Sequence, residues 1–290
     1  MPLMLEQEEP VLIESSDSVE KKPVVIAKTK SAQPISNLTV LSQLLVLAGN
    51  GEVEKLFSED FEDGGFMDSG ECSGNCPDVL EEQGGAGKFM RATLSGSMKV
   101  PYRTELSFNK SSSMLVNQRT YLLVFRVRMH TDTGQFPKSM FVQVHAKNWL
   151  EDQSKKFWQP FVGRLNENPK TGFWQCEKSD GKNLKTPFSV RTKKWEQYEA
   201  VLRFRNDSDG TILVFRGHEL IFKQQGVNCG DWKEPLYLKM GIYTGKKNSV
   251  PEGSVRNVDY DDVGLFDISK YSNSLAAAKQ FVGQLKLNEN

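Results

Sequence analysis

From residue 57 to residue 266 the chain alternates apolar and polar residues in short runs, with clusters of turn-forming residues between them. Successive side chains on a strand point to opposite faces, so this period of two predicts half-buried strands. The pattern places them over residues 102–108, 121–129, 140–145, 195–205, 211–215, 219–222, 237–243 and 258–266. Residues 206–210 and 216–218 read as hairpin connections, because Gly and Asn/Asp tolerate the positive φ that such turns require. Short strands at this spacing predict an all-β fold of two antiparallel sheets, a sandwich or a β-jelly roll. Residues 149–187 are richer in Asn, Lys, Gly, Pro and Trp, and read as long loops with one or two strands.

Outside the sandwich the period lengthens. Leu38, Leu41, Leu44, Leu45 and Leu47 predict a short helix over 36–48, with Ser36 as its N-cap and Gly49 after its end. Leu275, Ala278, Val282 and Leu285 predict a second helix over 273–287. Residues 1–33 are rich in Glu, Lys, Ser and Pro, a composition that buries little, and a mobile tail is expected there. The expected division is a tail over 1–33, a helix over 34–50, a jelly-roll domain over 51–271 and a C-terminal helix over 272–290. The first nine residues are acidic and lack a basic stretch followed by an apolar one, so no secretory leader is expected. No run is apolar and long enough to suggest a membrane span, and the compartment stays open.

Charge narrows the picture only slightly. The 37 basic and 37 acidic residues cancel, so any anion site has to be local. Cys72, Cys76, Cys176 and Cys229 lack the paired spacing of a zinc site, and with only three histidines no structural metal centre is expected. Cys72 and Cys76, in a Gly/Ser/Asn loop, are either a small disulfide or two thiols. The state of Cys176 and Cys229 is equally open.

Candidate chemistry collects on three strands. Alternation over 237–243 puts Tyr237, Lys239, Gly241 and Tyr243 on one face, and Leu238, Met240 and Ile242 on the other. Two phenols and an ammonium around a glycine suit a groove floor, although a surface strand with two amphipathic tyrosines has the same pattern. Gln143 and His145 also share a face. An imidazole exchanges protons near neutrality and a neighbouring amide can orient a carboxylate, while plain surface placement would also account for the pair. Arg103 and Glu105 share a face with Ser107. The guanidinium there can bind a carboxylate with Glu105 holding it, or the two can form a simple cross-strand ion pair.

In order, Arg103-Thr104-Glu105-Leu106, Gln143-Val144-His145 and Tyr237-Leu238-Lys239-Met240-Gly241-Ile242-Tyr243 resemble the three signature strands of the jelly-roll polysaccharide lyases, the alginate and glucuronan lyases among them. The resemblance covers residues 57–267, with 57–62 similar to the opening strand of glucuronan-lyase-like domains and 258–263 to their closing one. It implies cleavage of a 4-O-linked polyuronate by β-elimination. Removing the poorly acidic C5 proton requires that the adjacent carboxylate be neutralised and the enolate-like intermediate stabilised. The resemblance implies Arg103 and Gln143 for that task, Tyr243 as acid and for some sugars also base, and His145 as base or as activator of Tyr243. Lys239 is implied to tune the Tyr243 phenol and to contact the anionic chain, and Glu105, Tyr237, Lys147 and Trp149 are the further candidates for substrate contact, since sugar faces stack on aromatic rings and a polyuronate needs cations. Ser107, Thr244-Gly245 and Ala146-Lys147 depart from the alginate enzymes, which bears on the substrate more than on the chemistry. The scheme implies no metal and no cofactor. The expected partner is an anionic polysaccharide, with no nucleic acid, no membrane and no second subunit, and this substrate class implies action outside the cell.

Trp158, Trp174, Lys155 and Lys156 are further candidates for lining the groove, with a core or solvated-loop position the stronger reading for any one of them, whereas Trp195 reads as structural and His130 and His218 as outside the chemistry. A noncatalytic glycan-binding module would keep aromatics and charges without needing His, Gln and Tyr together. A glycoside hydrolase would need two carboxylates across the scissile bond, and the chain has no Glu-x-Asp-x-x-Glu strand.

Overall fold

The computed structural model describes residues 39–64, 70–108, 115–116, 118–134, 136–146, 159–167, 170–177, 183–217, 219–228, 236–245, 250–271 and 275–287. The expected tail, Ser36, Lys147, Trp149, Lys155, Lys156, Trp158, His218 and Cys229 lie outside the described residues. In chain order the elements are α1 (Val40–Gly49), β1 (Glu54–Glu59), β2 (Gly70–Gly74), β3 (Asp78–Glu81), β4 (Lys88–Ser95), β5 (Arg103–Phe108), β6 (Tyr121–Met129), β7 (Ser139–Ala146), β8 (Phe161–Leu165), β9 (Thr171–Glu177), β10 (Asn183–Ser189), β11 (Trp195–Arg203), β12 (Thr211–Arg216), β13 (Glu219–Gln225), β14 (Leu236–Tyr243), β15 (Val255–Asp267) and α2 (Leu275–Leu287).

Two antiparallel sheets face each other, as the alternation predicts. One runs β10-β9-β8-β7-β14-β5-β2 and carries the three signature strands side by side. The other runs β13-β12-β11-β6-β15-β4-β3. Its strand β15 is long enough to pair with β4 along its first half and with β1 along its second. The change comes at a bulge between Asp261 and Gly264, where Asp262 adopts φ 49°. The inward residues of the two sheets interdigitate into one core, in which Phe125 stacks on Tyr198 and Phe161 stacks on Trp174.

Two expectations are corrected. Residues 149–187 hold β8, β9 and β10 rather than long loops with one or two strands. Gly163 hides part of that signal: a Cβ there would lie 2.7 Å from the rings of Phe141 and Trp174, so the strand gives up a side chain to make room for aromatics from its neighbours. For the same reason Trp174 takes the core position rather than a place in the groove wall, with no solvent exposure. The first helix begins after Thr39, whose hydroxyl accepts the Ser42 N–H at 3.2 Å; this cap turns Val40, Leu41, Leu44 and Leu47 inward. Cys72 and Cys76, left open by the sequence, are disulfide-bonded, and Cys176 is buried in the core.

Candidate active site

Strand β14 lies between β5 and β7, and its register sets the site. On one side Tyr243 is opposite Arg103, Gly241 opposite Glu105 and Lys239 opposite Ser107. On the other, Lys239 is opposite Gln143 and Tyr237 opposite His145. Directly paired residues share a face, so Arg103, Glu105, Gln143, His145, Tyr237, Lys239 and Tyr243 all emerge on the side of the sheet away from the core.

Position 241 makes the site possible. Glu105 and Gln143 sit on the two strands that flank β14, and the Gln143 amide Nε2 nevertheless donates a short hydrogen bond to Glu105 Oε1. A Cβ at position 241 would run into the Thr104 carbonyl oxygen and Glu105 Cα, so only glycine lets β14 lie this close to β5 beneath that pair. Gly241 also adopts φ 137° within a bulge where β14 and β7 lose register between Met240 and Tyr243. Tyr260 reaches this bulge from β15 in the opposite sheet: its hydroxyl lies 2.6 Å from the Phe141 carbonyl oxygen and accepts the Gly241 N–H at 3.3 Å.

The polar groups form a connected set. Arg103 Nε stands 3.2 Å from Glu105 Oε2, its Nη1 donates to Ser73 Oγ at 3.3 Å, and its guanidinium lies 4.1 Å above the centre of the Tyr243 ring. The Lys239 ammonium lies 5.3 Å from the centre of the Tyr237 ring, which in turn packs on His145 with the ring centres 5.5 Å apart. Gln143 Oε1 accepts from Gln159 Nε2 at 2.5 Å, and Gln159 Oε1 accepts from Arg164 Nη2 at 3.4 Å. Gln143 is therefore held at both ends of its amide.

Burial divides these groups. Glu105, Gln143, His145, Tyr237 and Lys239 are buried, while the side chain of Arg103 keeps 27% of its exposure and Tyr243 is partly open. Loss of hydration pushes the Glu105 carboxyl above the usual range, opposed by Lys239, Arg103 and the Gln143 hydrogen bond. Burial, with the charge of Glu105 added, pushes Tyr237 up to about 12, which makes it a poor proton carrier. His145 is lowered from 6.5 to about 4, first by burial and then by the charges of Lys239 and Arg103, against a hydrogen bond to the Ala146 backbone. A carbonyl oxygen only accepts, so Nδ1, 2.7 Å from Ala146 O, carries the proton, and Nε2 is the basic nitrogen of a neutral ring.

Gln159 and Arg164 are absent from the sequence-derived set. Arg164 occupies the same cross-strand row as Tyr243, with Met140 between them, and burial holds its guanidinium below the usual range. A trace of them existed in the sequence: Phe161, Gly163 and Leu165 alternate with Val162 and Arg164, but the glycine interrupts the apolar half of the pattern. Among the described residues no group of three or more His, Cys, Asp or Glu side chains is arranged to hold a metal ion.

No family model and no curated protein matches the sequence. Solved structures do match the fold. An endo-β-1,4-glucuronan lyase from the fungus Trichoderma reesei superposes with a TM-score of 0.56 at 13% identity, over 73% of this chain and 94% of that one. The chain has a jelly-roll fold like that of this glucuronan lyase. An alginate lyase of polysaccharide lyase family 7 matches at TM-score 0.44 and 15% identity, over 65% of this chain and 82% of that one. The binding domain of botulinum neurotoxin DC, solved in complex with rat synaptotagmin II, matches at TM-score 0.52 and 11% identity, over 81% of this chain and 52% of that one. The fold is thus similar both to a lyase and to a domain described as binding, and function has to be argued from the site.

Proposed function

We propose that the protein is a polysaccharide lyase that cleaves a 4-O-linked polyuronate, of the glucuronan or alginate type, by β-elimination. The observation that carries this reading is the register that gathers Arg103, Tyr243, Gln143 and His145 on three adjacent strands, with Tyr243 beneath the Arg103 guanidinium. Arg103 and Tyr243 are the open members, so the polymer enters at their end of the site. The Arg103 guanidinium receives the uronate carboxylate, and the second Nε2 hydrogen of Gln143 supports it. Neutralising that carboxylate lets the negative charge left at C5 spread onto it. His145 Nε2 takes the C5 proton, or acts through Tyr243 where one phenol serves both steps. The C5–H electron pair becomes the C4–C5 double bond as the C4–O4 bond breaks, and the Tyr243 hydroxyl protonates O4. Lys239 offsets the buried charge of Glu105, which anchors Arg103 and Gln143.

A panel of polyglucuronate, alginate blocks and glycosaminoglycans, followed by the ultraviolet absorbance of the unsaturated product, tests the proposal. Product from at least one uronate polymer is expected. Binding with no product would favour the noncatalytic glycan-binding module.

The state of His145 sets a pH dependence. Because its pKa is depressed, the ring stays neutral and basic from alkaline pH down through 6.5, and it protonates only near pH 4. The acid limb of kcat/KM is expected near pH 4, and a limb centred near 6.5 would show that the titrating base is another group. Folding stability falls between pH 6.5 and about 4, because the unfolded imidazole binds its proton first. Circular dichroism at each pH separates the two effects.

A further inference from the structure

We propose that the sheet opposite the active site carries a second, noncatalytic site for a uronate unit of the same polymer. This inference rests on the lyase reading for its choice of ligand. Arg91, Asp259, Arg128 and Trp195 form one cross-strand row over β4, β15, β6 and β11. Their sequence neighbours Met90, Tyr260 and Val127 lie in the core, so the row faces outward, away from the catalytic face. Beside it lies a cleft of about 650 Å³, a volume in the range of small-ligand sites.

The floor of the cleft is built, not incidental. The Asp259 carboxylate is wholly buried and accepts from Arg91 Nε at 2.6 Å and Nη2 at 2.9 Å, from Arg128 Nε at 2.9 Å, and stands 2.6 Å from His130 Nε2. Arg128 also donates to Glu82 Oε1 at 2.8 Å, so two carboxylates engage it. Both guanidiniums lie over the Phe89 ring, at 5.3 Å for Arg91 and 4.8 Å for Arg128. On the rim, Lys193 adopts φ 62°, a strained conformation for a residue with a side chain, and its backbone N–H donates to Met129 O at 2.7 Å. The fold tolerates that strain at a residue whose side chain lines the cleft.

The cleft offers complementary groups to an acidic sugar. Lys193 and the exposed part of Arg91 suit the carboxylate, Glu81, Glu82 and Gln83 accept from hydroxyls, and Leu80 presents an apolar patch to the C–H face of the ring. A free phosphate or sulfate would use the cations alone. A polymer held here and in the groove gains affinity from two attachments, with no added contact at the reacting unit.

The experiment compares wild type with Lys193→Gly and Lys193→Glu by affinity electrophoresis in polyglucuronate or alginate, with dextran as the neutral control. Glycine adopts positive φ without penalty, so the first variant removes the ammonium and keeps the turn. Retention by the uronate polymer is expected to weaken about threefold in Lys193→Gly, and further in Lys193→Glu. Turnover of oligouronates too short to reach both faces is expected to stay at the wild-type value. Retention that ignores both substitutions, retention equal in dextran, or no retention of the wild type, would overturn the second site. If retention responds to Lys193 but no polymer yields unsaturated product, the cleft stands and the lyase reading falls. If product forms while retention is indifferent to Lys193, the lyase reading stands alone.

Discussion

Tyr243→Phe is expected to lower turnover of the polyuronate about a thousandfold while leaving polymer binding within a few fold of wild type. The substitution removes one hydroxyl. It leaves the ring under the Arg103 guanidinium, at a separation now 4.1 Å, so the cation–π contact that positions Arg103 survives. Ultraviolet assays give the rate and calorimetry on the intact polymer gives the affinity. Loss of both together would mean that the hydroxyl binds rather than transfers a proton. Retained turnover would remove Tyr243 from the chemistry and leave His145 to carry both steps.

Gly241→Ala is expected to be severe for a different reason. The backbone there sits at φ 137°, where side chains are strained, and a Cβ would lie 2.2 Å from the Thr104 carbonyl oxygen and 2.6 Å from Glu105 Cα. Both obstacles are main-chain atoms of the neighbouring strand, which cannot move aside as a flexible side chain would. A loss of about 3 kcal/mol or more in stability follows, read as a drop in Tm of roughly 6–12 °C. Activity is expected to fall even at temperatures where the variant is folded, because pushing Glu105 Cα aside shifts the carboxylate that Gln143 and Arg103 engage. An alanine variant with wild-type Tm and wild-type rate would refute the role given to this position.

Much of this was legible because strand periodicity is an unusually direct code. The faces of 237–243 and of 103–107 follow from counting by two, and their pairing confirms which residues share a side. What counting cannot supply is which strands become neighbours, since nothing in 103–106 or 143–145 says that 237–243 will lie between them. Residues 159–165 illustrate a second limit. Gly163 answers a packing demand made by Phe141 and Trp174, residues distant in sequence, so the local pattern weakens where the tertiary fit is tightest. Burial was the third gap. A strand with two tyrosines and a lysine reads as open, whereas Lys239 and Tyr237 are both mostly enclosed, and so are His145 and Glu105, whose own burial is the first cause of their pKa shifts.

Tyr260 has a consequence for how portable such a site is. Its hydroxyl crosses from one sheet to fasten the bulge at Gly241 in the other. Copying the residues of β5, β7 and β14 onto a different jelly roll would transfer every group named in the reaction and still omit this fastening. Without a phenol of the right length arriving from the far sheet, the grafted strand would be free to lie flat in regular register, and Tyr243 would turn to another bearing. The three strands alone are therefore less than the whole arrangement, which also draws on a tyrosine from the opposite sheet and on Ser73 and Gln159 beside them.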